Sequence, residues 1–303
     1  MKTKRKKRTT RQIIFICCGL FFPIFNFILF YIVPNGSAFL MAFQDKNGSW
    51  GFDNFLRFFK EFSATDSSLR MALRNTLITF AILLVAYPFK VMVSYFIYKK
   101  VPFAGFYRII FFLPTIIFSV ATAMVFQQLV APTGFIAEWV QKAAGLEYTP
   151  ELLADSRFAN FTIWAQMLWL GFPGDLIIWG GTFARIPQDV LESGQIDGVN
   201  WFTEFTKIIV PMVWPTVSLN MVLMFCGILG AGGAVFLLTG GEYGTITIPC
   251  WLYLQMYKLS GDAYTSNVYN YMSAVGLIIT VISVTLATII RKIADKAFTE
   301  VEF

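Results

Sequence analysis

Ile186-Pro187-Gln188-Asp189-Val190-Leu191-Glu192-Ser193-Gly194-Gln195-Ile196-Asp197-Gly198 is a polar island between two long apolar runs. It continues through Val199-Asn200-Trp201-Phe202 to Lys207-Ile208-Ile209-Val210-Pro211. Pro187 suits a first helical position, where its missing N–H costs nothing. Asp189 puts negative charge in the first turn, where the helix dipole is positive. Gly198 supplies a C-terminal stop, and Asn200 supplies a cap for the next helix. The stretch therefore reads as a short surface helix, a sharp break and a second helix entering an apolar run.

The chain around it has 303 residues, 56% hydrophobic, 17% aromatic and only 14% charged. Soluble domains carry about 25% charged residues, so the balance points to a membrane protein. The net charge of +6 does not indicate nucleic acid, because much of it sits in Lys2-Thr3-Lys4-Arg5-Lys6-Lys7-Arg8, directly before an apolar run. Basic residues flanking a span are orientation signals. With no His in the chain, imidazole acid–base chemistry and imidazole metal ligation are excluded. Cys17, Cys18, Cys226 and Cys250 have no metal-ligand spacing and imply no disulfide framework. Cys250 alone is expected outside the membrane spans, on the extracytoplasmic side.

The expected fold is an all-α integral membrane domain over 1–303. A basic tail at 1–12 precedes spans at about 13–33, 75–98, 107–130, 158–183, 207–238 and 271–290, with a loop at 184–206. The first apolar stretch runs on to Val33, about 21 residues, enough for a bilayer and too long for a cleaved leader. Residues 34–73 are mixed and polar, and 131–157 form an outer loop with a short helix at 136–144. Prolines 23, 88, 114, 173 and 215 fall inside spans, where bundled helices tolerate them. Six spans from a cytoplasmic start leave both termini and the 184–206 loop inside. The basic residues agree independently: fifteen lie inside by this topology and eight outside, with Lys90 within a span.

Glu192-Ser193-Gly194, then Asp197-Gly198, then Phe205, Ile208 and Pro211 resemble the E-A-A, D-G-A, F-x-x-I-x-x-P loop of ABC-importer permeases. Ser193, Gly194 and Val199 replace three of its alanines. Other parts of the chain fit the carbohydrate type of that family. Pro34, Ala42-Phe43-Gln44-Asp45 and Gly51-Phe52-Asp53-Asn54-Phe55 are similar to its first outer loop. Arg74-Asn75-Thr76-Leu77 and Phe112-Leu113-Pro114 are similar to its second and third helices. Leu238-Thr239-Gly240-Gly241, Thr245, Thr247, Trp251, Tyr253 and Tyr271-Met272-Ser273-Ala274 resemble the first permease subunit of maltose-type importers. Glu242-Tyr243 and the glycine-rich Gly227 to Gly233 depart from the pattern.

The resemblance implies a type I importer permease bundle in a bacterial-type cell membrane. Its loop would be a cytoplasmic coupling helix, with Glu192, Ser193, Gly194, Asp197 and Gly198 meeting an ATPase. It also implies a second homologous permease, an ATPase dimer that binds ATP and magnesium, an extracytoplasmic solute-binding protein, and a sugar or oligosaccharide as cargo. This chain itself has no glycine–lysine nucleotide loop, no metal motif and no nucleophile constellation, so no catalytic residue and no cofactor is expected in it.

Two charges fall inside expected spans, and such charges are costly unless paired or hydrated. Lys90 lies about 14 Å before the end of its helix and Asp175 about 15 Å before the end of its own, at 1.5 Å per residue. Matching depth makes a pair, or a shared hydrated cavity, one reading. Snorkelling of Lys90 and a break at Gly171, Pro173 and Gly174 is the other. For the substrate pathway, Ser218, Asn220, Gly227 and Gly230 are candidates with Asp175 and Lys90, as are Trp164, Gln166, Gln127 and Gln128. Interhelical bonding is the plainer role for each. Two other functions stay open: an importer for another solute class, and a membrane enzyme using Asp175 and Lys90.

Overall fold

The computed structural model describes residues 10–45, 47–99, 101–171, 173–259 and 266–297. The basic block Lys2–Arg8 lies outside them, as does the side chain of Asp175. The described residues are helical with no strand; a lone bridge pairs Gln44 with Trp50. The chain divides into two compact units, one of Met1–Lys60 with Lys258–Ile278, the other of Glu61–Tyr257 with Ile279–Phe303.

In the smaller unit, α1 (Thr10–Phe27) passes through a π-helical turn, Ile28–Ile32, into α2 (Val33–Ala42). The helical run thus outlasts the 13–33 expected for it. The wider turn is one of the local adjustments by which an apolar helix absorbs a proline, here Pro34 in the first turn of α2. Most large apolar side chains along it are exposed, as lipid-facing helices require. The buried side chain of Asn54, on α3 (Asp53–Ser63), donates to the carbonyls of Ala42 at 3.1 Å and Gln44 at 2.8 Å. It thereby satisfies groups left open where α2 ends. Arg57 lies 4.2 Å over the Tyr271 ring, and Asn270 donates to the Asp45 carbonyl at 3.2 Å.

The larger unit is built on α4 (Ser68–Tyr98), capped by Ser67, whose side chain accepts from the Arg70 N–H. Then come α5 (Ala104–Ile116), α6 (Ser119–Val130), α7 (Phe135–Ala144), α8 (Ala159–Gly171) and α9 (Pro173–Phe183). They are followed by α10 (Gln188–Ile196), α11 (Trp201–Thr203), a π segment at Glu204–Ile209, α12 (Val210–Met212) and α13 (Trp214–Cys226). The last elements are α14 (Val235–Thr239), α15 (Ile248–Leu259) and α16 (Ser266–Ala297), which runs on from the smaller unit.

Four helical stretches among the described residues are long and apolar enough to cross a bilayer: Cys18–Ala42, Ser68–Tyr98, Ser119–Ala144 and Val268–Lys296. The pair Trp201–Met212 and Trp214–Cys226, bent by 76°, makes a fifth if it is one span. Two expected rods are interrupted among the described residues. The stretch 107–130 is split at Ile117-Phe118, just after Pro114, where Ile117 turns extended (ψ 137°). In the stretch 158–183, residues 159–171 and 173–183 are helical and residue 172 lies outside the described residues. The stretch 207–238 bends at Val213, between Pro211 and Pro215, each of which lacks the N–H that a straight helix would use. It breaks again in the glycine-rich segment after Cys226. The short outer helix expected at 136–144 is α7.

Candidate functional site

α10 carries the polar island. Pro187 stands one residue outside it, with φ −59° and ψ 132°, and Gln188 is the first helical residue; this moves the proline from the expected first position to the cap. At the other end, Gly198 has φ +71°. Its N–H bonds to the Gln195 carbonyl at 3.1 Å, and that of Val199 bonds back to Gly194 at 3.0 Å. That pair of bonds closes a helix around a left-handed glycine, as helix C-termini commonly do. Asn200 then caps the next helix by accepting from the Thr203 N–H at 2.9 Å.

Glu192, Ser193, Asp197 and Gly198 are exposed and Gly194 is buried. Ser193 turns its hydroxyl back onto the Asp189 carbonyl at 2.7 Å. A Cβ on Gly194 would come within 3.0 Å of Ile208 Cδ1. The smallness of Gly194 thus serves contact between α10 and the segment that follows, inside this chain. Glu192 and Asp197 remain outside with Ile196, an apolar residue left 86% exposed.

Behind α10 lies the feature that the sequence analysis missed. Glu204, 3% exposed, accepts from Lys99 Nζ at 2.6 and 2.9 Å and from the Tyr95 hydroxyl. The carboxylate therefore bolts the start of the elbow to the last turn of α4. Around it Tyr87, Val91 and Tyr95 of α4, Trp179 and Phe183 of α9, Ile186, and Phe205, Ile209, Val213 and Val217 form one buried core. Tyr95 lies 5.4 Å from Phe183 and 5.9 Å from Phe205, ring centre to ring centre. Outside that core, Trp201 lies against Phe96 at 5.6 Å. α10 is therefore mounted on an aromatic block that reaches well up α4 and α9. The signal available in the sequence was Glu204 itself, an acid one turn before an apolar run with Lys99 at the end of another.

Lys90, 8% exposed, donates to the Gly171 carbonyl at 2.9 Å. A Cβ on Gly171 would stand 2.8 Å from the ammonium. The cation thus finds a backbone carbonyl of α8 as partner, as a charge within a span requires. Ser218 donates to Pro215 O at 3.1 Å and Asn220 to Thr216 O at 2.9 Å, both within their own helix. Gly227 and Gly230 are exposed. Gln127 donates to Leu237 O at 2.9 Å, and Trp164 Nε1 donates to the Thr79 hydroxyl at 3.0 Å. Gln166 is 1% exposed, with neither amide atom hydrogen-bonded.

On α4, Asn75 donates to the carbonyls of Gly244 at 2.7 Å and Ile246 at 2.9 Å, and Thr76 Oγ1 accepts from the Ile248 N–H. Asn160 reaches the same Gly244 carbonyl, and Trp251 Nε1 donates to Ser68. Asn75 and Thr76 of Arg74-Asn75-Thr76-Leu77 therefore hold the segment between α14 and α15. Cys250 lies buried beneath that segment, and burial pushes its thiol pKa up.

No family model matches the chain. It is 22% identical, over 95% of its length and 84% of the relative's, to the diacetylchitobiose uptake system permease protein NgcF of Streptomyces coelicolor. It is 24% identical, over 91% of its length and 94% of the relative's, to the multiple sugar-binding transport system permease protein MsmF of Streptococcus mutans. A chain of the bacterial alginate ABC transporter, crystallised with an alginate pentasaccharide-bound periplasmic protein, shares its fold with a TM-score of 0.81, at 20% identity over 96% of this chain and 97% of that one. These relatives are transport permeases and not enzymes, and the chain, helical in its described residues with several helices apolar enough to cross a bilayer, is a homologue of the sugar permeases of ABC transporters.

Proposed function

We propose that the chain is one of two permease subunits of an ATP-driven importer and forms half of the path for a sugar or oligosaccharide. It spans the cell membrane six times with both termini in the cytoplasm, where α10 docks on a separate ATPase subunit. A second permease completes the path, and an extracytoplasmic binding protein delivers the cargo. The observation that carries this reading is the mounting of α10. Its outer face carries Glu192, Asp197 and Ile196, while its inner face, through Gly194, lies against Ile208 of the elbow. A push on the outer face is passed to the elbow, and through the Glu204–Lys99–Tyr95 bonds to α4. Closure of the ATPase would then rock packed helices about a central path, as alternating access requires. The stretch made by α8 and α9, with Lys90 on the Gly171 carbonyl, is the candidate for lining that path, together with Asp175.

The test is what remains with the tagged chain when it is purified in mild detergent from its own membrane. An ATPase and a second multi-span permease are expected in stable proportion. Recovery of the chain alone, or with unrelated partners, would overturn the reading.

A further inference from the structure

Gly180 and Gly181 lie side by side in α9, and no contact among the described residues explains them. A Cβ built on either meets nothing within 4 Å. Glycine is among the poorest helix formers, so a pair of them weakens this short helix with no close packing in return. What they do is leave room. With Leu176 they form one wall of a cavity of about 340 Å³, closed on the other sides by Ser94, Ile97 and Tyr98 of α4 and Arg108 and Phe112 of α5.

The lining changes along the helices. α4 and α9 run side by side, with Tyr87 near Trp179 and Tyr98 near Phe183, and α5 returns after a short turn. Tyr98 and Arg108 therefore share one level, with Gly181 and Gly180, two and three residues before Phe183, about 3–4.5 Å further in. Ser94, Phe112 and Leu176 lie about one turn further in, some 5.4 Å at helical pitch. The outer level offers a phenol and an exposed guanidinium; one of its N–H groups reaches the Ile97 carbonyl at 3.4 Å, of the five that a guanidinium carries. The inner level is mostly hydrocarbon.

We propose that this crevice binds an anionic phospholipid. Its phosphate meets Arg108 and Tyr98, and one acyl chain lies over Gly180 and Gly181 against Ile97, Phe112 and Leu176. The apolar depth argues against free phosphate, for which the wall beyond Arg108 would be useless. Charge agrees with a lipid of the inner leaflet in the orientation proposed above, since the exposed Arg108 lines the crevice and basic segments favour anionic headgroups.

The full chain, extracted in mild detergent from membranes holding phosphatidylglycerol and phosphatidylethanolamine, can be compared with Gly181→Leu and Arg108→Gln by native mass spectrometry. Leucine favours the helix, so Gly181→Leu fills the crevice without unfolding α9. Retained phosphatidylglycerol is expected on the natural chain and lost severalfold in Gly181→Leu. In Arg108→Gln its preference over phosphatidylethanolamine should fall about fivefold, the worth of one cation near a membrane surface. Equal retention in all three proteins overturns the proposal. So does displacement of the bound species by excess inorganic phosphate, which marks an anion site only. Loss of an associated permease in Gly181→Leu with lipid retention unchanged overturns it as well, by assigning the glycines to a protein contact.

Discussion

Gly194 is the residue on which the coupling reading can be tried most sharply. With Ile208 Cδ1 at 3.0 Å from the missing Cβ, alanine asks only for a small shift of a flexible tip. Leucine would overpack the contact by about 1–3 kcal/mol and lift α10 from the elbow. Gly194→Leu is expected to cut ATP-driven uptake while leaving the chain in the membrane, and Ile208→Ala in the same chain should restore part of it. Lys90→Met removes the donor to the Gly171 carbonyl and should lower thermal stability by about 1–3 kcal/mol, the cost of stranding a buried polar group. Exchanging Lys90 and Asp175 tests their pairing: uptake returning in the swap and in neither single change supports it. Gln166→Leu goes the other way. Replacing an unbonded buried amide with an apolar residue should raise the unfolding temperature. If uptake also falls, the amide finds its partners in another conformation.

At the scale of elements, the elbow is held by Glu204. Losing one partner of a buried ion pair costs about 3–5 kcal/mol, and the 38% exposure of Lys99 puts this pair at the lower end. Lys99→Met should therefore destabilise the purified chain in a thermal melt, and Lys99→Met with Glu204→Gln should melt higher than Lys99→Met alone. Much of the elbow was legible beforehand, because Gly198 and Asn200 are local signals and caps depend on neighbours in sequence. The 76° bend at Val213 was not, although Pro211 and Pro215 were in view. Proline inside an apolar run is compatible with a kink, a bend or a tolerated straight helix, and packing chooses among them. The small residue at 194 was legible as small, but its direction was not. A helical face points to partner or to core only once Ile208 is in place.

On the scale of the whole molecule, the all-helical class follows from composition, and the family resemblance from motifs spread along the chain. What neither could supply was long-range closure. Asn75 bonds to carbonyls some 170 positions away, and Lys99 meets Glu204 across 105, contacts that no periodicity encodes. The larger unit is consequently fastened at two places on one long helix, by Asn75 and Thr76 near its start and by Lys99 at its end. Asn75→Ala should release the segment around Gly244 and Ile246, seen as faster amide exchange there with α10 unaffected. The central claim is that the exposed face of α10 is the seat of an ATPase. It is tested most directly by the amount of ATPase subunit retained on tagged Glu192→Ala relative to the natural chain, at equal membrane levels. Truncating one partner of an interfacial charge pair costs about 2–5 kcal/mol, so retention should fall at least about tenfold. Undiminished retention would contradict the account.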